Sequence, residues 1–167
     1  MARVFVAGIP GTGKTHFGEW LRQNRNYFHL DMEDGFRSMS ELYEAWQKGM
    51  ESDDFTVFVT LLYKLPPDLV MTWGFPPHAI HLAGKISDAG ITPWWFDGDR
   101  DVARRLWAAR EGHRDTTYFD YQCEQIDERW KDLQRFFGPN IIRVIESQDV
   151  RLSEEVIADR ILKVNNV

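Results

Sequence analysis

A chain of 167 residues has room for one hydrophobic core and not for two of comparable size. Its 43% apolar content, with 7 Trp, 11 Phe and 5 Tyr, excludes a disordered segment, because so much aromatic surface does not stay solvated. Twenty basic against 26 acidic side chains leave a net charge of −6, which argues against a coat for duplex nucleic acid and leaves small charged ligands open.

Residues 3–7 predict a short strand of β-branched and aromatic side chains ending at Gly8. A helix is expected over about 13–24, where Phe17, Trp20 and Leu21 share one face. Residues 27–31 read as a second strand, and 39–46 as a helix stopped by Gly49. The stretch 53–65 carries two signals: Val and Thr favour a strand, whereas Ser52 as an N-cap followed by two Asp favours a helix. Helix is preferred, because Leu69-Val70-Met71-Thr72-Trp73 follows at once and is the better strand. Pro76-Pro77 then suits the first turn of a helix reaching about residue 89. A strand over 91–96, helices over 100–111 and 118–137, a strand over 141–146 and a helix over 153–164 complete the chain. Strands separated by helices imply right-handed crossovers and a parallel sheet covered on both faces. The expected class is therefore α/β: a single three-layer domain over residues 1–167 with about five parallel strands. The apolar run at 55–63 is far too short to span a bilayer, and the N-terminus has no signal-peptide layout. A cytoplasmic protein with no membrane partner is expected.

The strongest chemical signal lies where the first strand hands over to the first helix: Gly8-Ile9-Pro10-Gly11-Thr12-Gly13-Lys14-Thr15. It matches G-x-x-x-x-G-K-[ST] in full, in the strand-to-helix context that this phosphate loop needs. Glycines let backbone N–H groups turn inward around phosphate oxygens, and the helix N-terminus adds positive potential. Lys14 is placed to reach the β- and γ-phosphates and Thr15 to hold Mg²⁺, with Gly8, Pro10, Gly11, Thr12 and Gly13 forming the cradle. The sequence predicts binding of a nucleoside triphosphate.

The spelling Gly-x-Pro-Gly-Thr-Gly-Lys-Thr resembles the loop of AAA+ ATPases as well as that of small kinases. An AAA+ module needs a larger domain, a strand ending Asp-Glu and a helical lid subdomain; a GTPase needs Asn-Lys-x-Asp. None of these is in the sequence. What remains resembles the small P-loop kinases: nucleoside-monophosphate kinase-like, shikimate or gluconate kinase-like, and the kinase domain of polynucleotide kinases. The resemblance covers most of the chain in order and size, and it implies ATP as phosphate donor, Mg²⁺, and a short Arg-bearing lid near 110–118.

Two regions extend that resemblance. In polynucleotide kinase-like enzymes an Asp near the end of the second strand accepts the hydroxyl proton, and an Arg three residues on holds substrate phosphate; Asp34 and Arg37 match that spacing. In shikimate kinase-like enzymes the acid stands right at the strand end, which favours Asp31. Either carboxylate would orient a hydroxyl beside the γ-phosphate and take its proton late. His29 reads as a wall residue. The second region holds Arg100, Arg104, Arg105, Arg110 and Arg114. Small kinases close such a lid because the loose transition state spreads charge over the equatorial oxygens. Arg110, followed by Glu111-Gly112, resembles the lid position, with Arg104 or Arg105 as a companion on its face; a solvated helix balanced by Asp99, Asp101 and Asp115 is the plainer reading.

One departure concerns the segment Trp73-Gly74-Phe75-Pro76, which keeps Gly-Phe-Pro but carries Trp73 where these families have an Asp that steadies Mg²⁺. Metal would then rest on Thr15, phosphates and waters, with Asp31 or Asp97 as water-bridged partners. The resemblance places base contacts at Ser147, Gln148 and Asp149, and an acceptor pocket between residues 35 and 85, where Phe36, Met39, Tyr43, Trp46, Trp73 and Phe75 are available. The rest reads as scaffold. Phe119, Cys123, Ile126, Trp130, Leu133 and Phe137 form one apolar helical face, and Trp94-Trp95 are packing residues. Cys123 is the single cysteine, which excludes an internal disulfide and a cysteine-only zinc site, and His78 with His81 lacks a third ligand. Three functions remain: a kinase for a small hydroxyl-bearing acceptor, a kinase for a nucleotide or single-stranded nucleic-acid end, and a nucleotide-binding regulatory module without transfer.

Overall fold

The computed structural model of the chain describes residues 2–74, 77, 80–112, 115–146 and 150–164. Five strands, β1 (Arg3–Gly8), β2 (Phe28–Asp31), β3 (Leu69–Thr72), β4 (Thr92–Gly98) and β5 (Ile141–Ile145), form one sheet in the order β2-β3-β1-β4-β5. Every pairing is parallel. A central parallel strand is covered on both faces and so reads as an unbroken apolar run. In β1, Val4, Phe5, Val6 and Ala7 are all fully buried.

The helices are α1 (Lys14–Arg25), α2 (Ser40–Ser52), α3 (Thr56–Tyr63), α4 (Ile80–Asp88), α5 (Arg100–Glu111), α6 (Thr117–Glu128), α7 (Trp130–Phe137) and α8 (Glu154–Val164). Successive strand residues point to opposite faces. On β4, Phe96 meets Phe17 of α1 with ring centroids 5.5 Å apart, whereas Trp95 meets Phe137 of α7 at 5.2 Å. The two helices therefore cover opposite faces, α8 lying beside α1 and α4 beside α7. This is the three-layer α/β class expected from the alternation of elements.

Three element boundaries differ from expectation. Gly49 does not stop a helix: α2 continues to Ser52 and ends at Asp53, which takes a left-handed conformation at φ 57°. Gly49 is glycine for packing, since a Cβ there would stand 2.5 Å from the Phe55 ring. Residues 53–65 do contain a helix, but Ser52 does not cap it; its hydroxyl donates back to the Lys48 carbonyl at 2.7 Å. Phe55 stands at the N-cap without a side-chain cap bond, and Asp54 just before it accepts from the Thr56 N–H at 3.0 Å and the Thr56 hydroxyl at 2.6 Å. The single helix expected over 118–137 is two, broken at Arg129, with Phe119, Ile126, Leu133 and Phe137 buried and Cys123 and Trp130 half-buried. Phe75, Pro76 and His78 lie outside the described residues. Trp94 and Trp95 are buried. Among the described residues no helix is long and apolar enough to cross a membrane, and no group of three or more His, Cys, Asp or Glu side chains is placed to hold a metal ion.

Candidate active site

The phosphate loop leaves the C-terminal end of β1, in the middle of the sheet, where parallel α/β folds gather their ligands. Its glycines are fixed by what they touch. A Cβ on Gly8 would overlap the Phe96 carbonyl oxygen, and the Ile9 N–H donates to that same oxygen at 3.1 Å. A Cβ on Gly11 would overlap the Ala103 carbonyl, so the loop rests directly on α5. Gly13, left-handed at φ 80°, ends the loop and begins α1. Thr12 is buried, its hydroxyl donating to the Ile9 carbonyl at 2.7 Å.

Lys14 is buried, and its ammonium donates to the carbonyls of Ile9 at 2.9 Å and Gly8 at 3.1 Å. Burial pushes its pKa down to about 8; the negative charge of Glu33 opposes that shift, Arg110 adds to it, and Asp31 opposes it more weakly. Burial without a contacting carboxylate favours the neutral amine, and an arriving polyphosphate supplies the missing negative charge.

Two contiguous hollows lie over the loop. One, of about 660 Å³, is lined by Lys14, Thr15, Glu33, Trp107, Arg110 and Tyr118 among others. The other, of about 800 Å³, shares Gly11, Gly13, Thr15, Glu33, Trp107 and Arg110 and adds Asp31, Asp34, His16 and Arg151. Together they form one cleft around the phosphate loop, on the scale of small-molecule and cofactor sites. Asp31 ends β2, and its Oδ1 accepts from the Glu33 N–H at 2.8 Å, which fixes the carboxylate at the cleft wall. Asp34 is exposed on the same wall. His29 stays outside the cleft: its Nε2 lies 2.8 Å from Thr72 Oγ1, burial lowers its pKa, and it packs where a Cβ on Gly18 would overlap it.

Of the described arginines in the 100–110 run, Arg110 lines the cleft. Arg104 pairs with Asp120 and Arg100 with Asp127 at 2.8 Å, both on the α6 side, while exposed Arg105 lines none of these hollows. The companion on Arg110's face is instead Trp107, one turn earlier. His113, Arg114, Ser147, Gln148 and Asp149 lie outside the described residues. Arg37 is exposed and lines a neighbouring recess with Glu33. Asp97, the alternative to Asp31 as a water-bridged metal partner, does not line the cleft. It alternates with Phe96, so it faces away from α1, into a separate recess with Asp127, Trp130 and Arg143.

Glu33 and Arg151 are among the cleft residues that lie outside the sequence-predicted set. Glu33 Oε1 accepts from the Gly74 N–H at 2.8 Å, bringing a carboxylate to the β3 end where Trp73 stands in place of an acid. Trp73 itself turns to Phe5 and Trp46, with centroids 6.2 and 5.1 Å away. The run Asp31-Met32-Glu33-Asp34 contains the signal, but only the fold shows which acid reaches β3. The second is Arg151, held by an isolated bridge to Ile145 and paired with Glu154. Its guanidinium lies against Gly13, 2.7 Å from where a Cβ would stand.

No protein-family model and no curated protein matches the sequence. Solved structures do match over nearly the whole chain. A shikimate kinase from Bacteroides thetaiotaomicron is similar at 16% identity with a TM-score of 0.62, covering 99% of each chain. A tunicamycin resistance protein from Deinococcus radiodurans is similar at 14% identity and TM-score 0.59, covering 99% of this chain and 96% of its own. A gluconokinase from Sinorhizobium meliloti 1021 is similar at 15% identity and TM-score 0.58, covering 98% of this chain and 91% of its own. With a parallel sheet, a complete phosphate loop at its centre and this likeness along its length, the chain has the fold of the small P-loop kinases.

Proposed function

We propose that this protein moves the γ-phosphate of Mg·ATP to a hydroxyl of a small-molecule acceptor. The observation that carries the reading is a single cleft holding Lys14, Arg110 and the strand-end carboxylates Asp31 and Asp34 around one phosphate loop. On binding, Lys14 exchanges the Gly8 and Ile9 carbonyls for the β- and γ-phosphates, with the loop N–H groups around them. Arg110 faces the same space and supplies positive charge to the equatorial oxygens of the transferring group. Asp31 or Asp34 orients the acceptor hydroxyl and receives its proton as the new P–O bond forms and the bond to ADP breaks.

The donor set fits Mg²⁺. Thr15 offers a hydroxyl at the mouth of the loop, with Asp31 and Glu33 lining the same space, all oxygen donors suited to a hard cation that keeps several waters. Thr15 would hold the metal directly, and the metal would neutralise charge on the β- and γ-phosphates.

The test is ADP release from Mg·ATP across a panel of acceptors, with Lys14→Ala as the blank. The panel contains gluconate, shikimate, nucleosides, nucleoside monophosphates and oligonucleotides ending in a 5′-hydroxyl. Acceptor-dependent turnover with one of the small hydroxyl compounds supports the proposal. Turnover restricted to oligonucleotide ends would assign the site to nucleic-acid kinase chemistry. ATP binding with no acceptor-dependent turnover would make the protein a nucleotide-binding module and overturn it.

A further inference from the structure

On the face of the sheet turned away from α1 lies a recess of about 460 Å³, lined by Asp97, Arg100, Asp101, Asp127, Trp130 and Arg143 among others. It shares no described lining residue with the two hollows over the phosphate loop. The charged run from Asp97 to Asp101 supplies much of its wall, and phosphate transfer in the cleft leaves that run without a task.

Some of these charges are already engaged. Asp99 caps α5, accepting from the Asp101 and Val102 N–H groups at 3.1 and 3.0 Å. Asp127 accepts from Arg100 Nη2 at 2.8 Å. The side chains of Asp97, Asp101 and Arg143, by contrast, make no hydrogen bond or ion pair with a described residue. Arg100 Nη1 is buried and has no hydrogen-bond partner among the described residues, and a buried donor without an acceptor is costly.

Asp97 and Arg143 are register partners on β4 and β5, so their side chains rise on one face from strands about 4.8 Å apart. The register shifts between Asp97 and Gly98, an irregularity of the kind that re-aims side chains, and the two opposite charges do not pair with each other. Half-buried Trp130 adds an aromatic ring against which an alkyl chain or a cation packs.

We infer that this recess binds a free α-amino acid with a cationic side chain. The carboxylate goes to Arg143 and Arg100 Nη1, the α-ammonium to Asp97, the alkyl chain along Trp130 and the distal cation to Asp101. Arginine suits the carboxylate because its planar fork presents several donors at once. Opposite charges on neighbouring strands match a ligand whose own opposite charges sit on one carbon. An apolar amino acid leaves Asp101 unanswered, and a diamine leaves both arginines so. A residue inside a peptide chain lacks the two free α-groups. The occupant would touch the first turn of α5, the helix whose Ala103 carbonyl supports Gly11 of the phosphate loop. Its binding does not depend on phosphate transfer.

Four probes differ by one charged group each. L-Lysine carries all three; L-norleucine lacks the distal ammonium, 6-aminohexanoate the α-ammonium, and 1,5-diaminopentane the carboxylate. Calorimetry and ligand-observed NMR on the full chain without nucleotide read the affinity of each. Lysine is expected to bind about 3- to 10-fold more tightly than each of the others, the range for one partly exposed charge-assisted contact. Asp101→Asn should erase the advantage over norleucine, Asp97→Asn that over 6-aminohexanoate, and Arg143→Gln that over the diamine. Asp101 and Arg143 are exposed and Asp97 is half-buried, so the three variants should melt with the wild type. Lysine preferences that survive all three substitutions would place the binding elsewhere, such as the acidic cleft wall, and overturn the inference. Equal binding of the four probes, a preference for any probe other than lysine, or no lysine binding at millimolar concentration overturns it as well.

Discussion

Lys14 holds its positive charge in a buried place where, among the described residues, two carbonyl oxygens accept from it, and that arrangement sets a pH dependence. Its pKa of about 8 lies below the ordinary lysine value of 10.5 because burial disfavours the ammonium. Phosphate binding favours the ammonium and raises that pKa, so the nucleotide complex binds a proton more tightly than the free protein. Affinity for Mg·ATP should therefore be full below about pH 8 and fall above it, approaching tenfold per unit. Calorimetry in buffers of different ionisation heat should show proton uptake on binding near pH 9, and Lys14→Ala should abolish both uptake and binding. The unliganded fold should follow the opposite trend. A lysine depressed in the folded state binds fewer protons than in the unfolded chain between about pH 8 and 10.5, so its destabilising contribution is full below that window and relieved across it. Lys14→Met should accordingly stabilise the unliganded fold at pH 7, by on the order of 1–3 kcal/mol, read as a higher melting temperature.

The two strand-end acids divide by a second pair of variants. Asp31 has one oxygen fixed by the Glu33 N–H, whereas Asp34 stands in the open. Whichever accepts the hydroxyl proton should, as Asp→Asn, lose about 10²- to 10⁴-fold in kcat while ATP binding persists; the other should change far less. Equal, small losses from both variants would remove general-base catalysis from this wall.

At the scale of elements, the unit from β1 through the loop to α1 is legible in sequence because its signals are local: an apolar run, a glycine-rich turn and an apolar face at helical spacing. Phe96 and Ala103 are nonetheless what hold Gly8 and Gly11 to glycine. The end of α2 is not legible, because Gly49 carries a stop signal whose real cause is the Phe55 ring occupying the missing Cβ. Gly49→Ala should thus destabilise the fold despite alanine's helix propensity. Overpacking of about 1–3 kcal/mol outweighs about 1 kcal/mol of propensity, and denaturant unfolding would read the difference. The face of α5 is ambiguous in sequence for a related reason. Three arginines share similar spacing, and only the position of α6, which occupies Arg104 with Asp120, separates them. Arg110→Ala should lower kcat by about 10²-fold with a smaller effect on ATP affinity; unchanged turnover at saturating ATP would exclude it from the transition state.

For the molecule as a whole, strand order and layering follow from the alternation of elements, but the meetings between distant segments do not. Glu33 reaches Gly74 across 41 positions, and Arg151 crosses from the far end of the chain to Gly13. No local pattern announces either. The same distances bear on how the protein is made. β1 is synthesised first yet sits in the middle of the sheet, hydrogen-bonded on one side to β3 and on the other to β4. Gly11 waits longer still, for Ala103 on α5. Until β3 and then β4 have followed β1, a nascent chain therefore carries an apolar strand without its neighbours, the kind of segment that chaperones hold and aggregates recruit. Ribosome-stalled chains should gain ATP-dependent protection from protease only once residues beyond Ala103 are outside the exit tunnel. Protection of a shorter nascent chain would mean that the phosphate loop assembles without its α5 support.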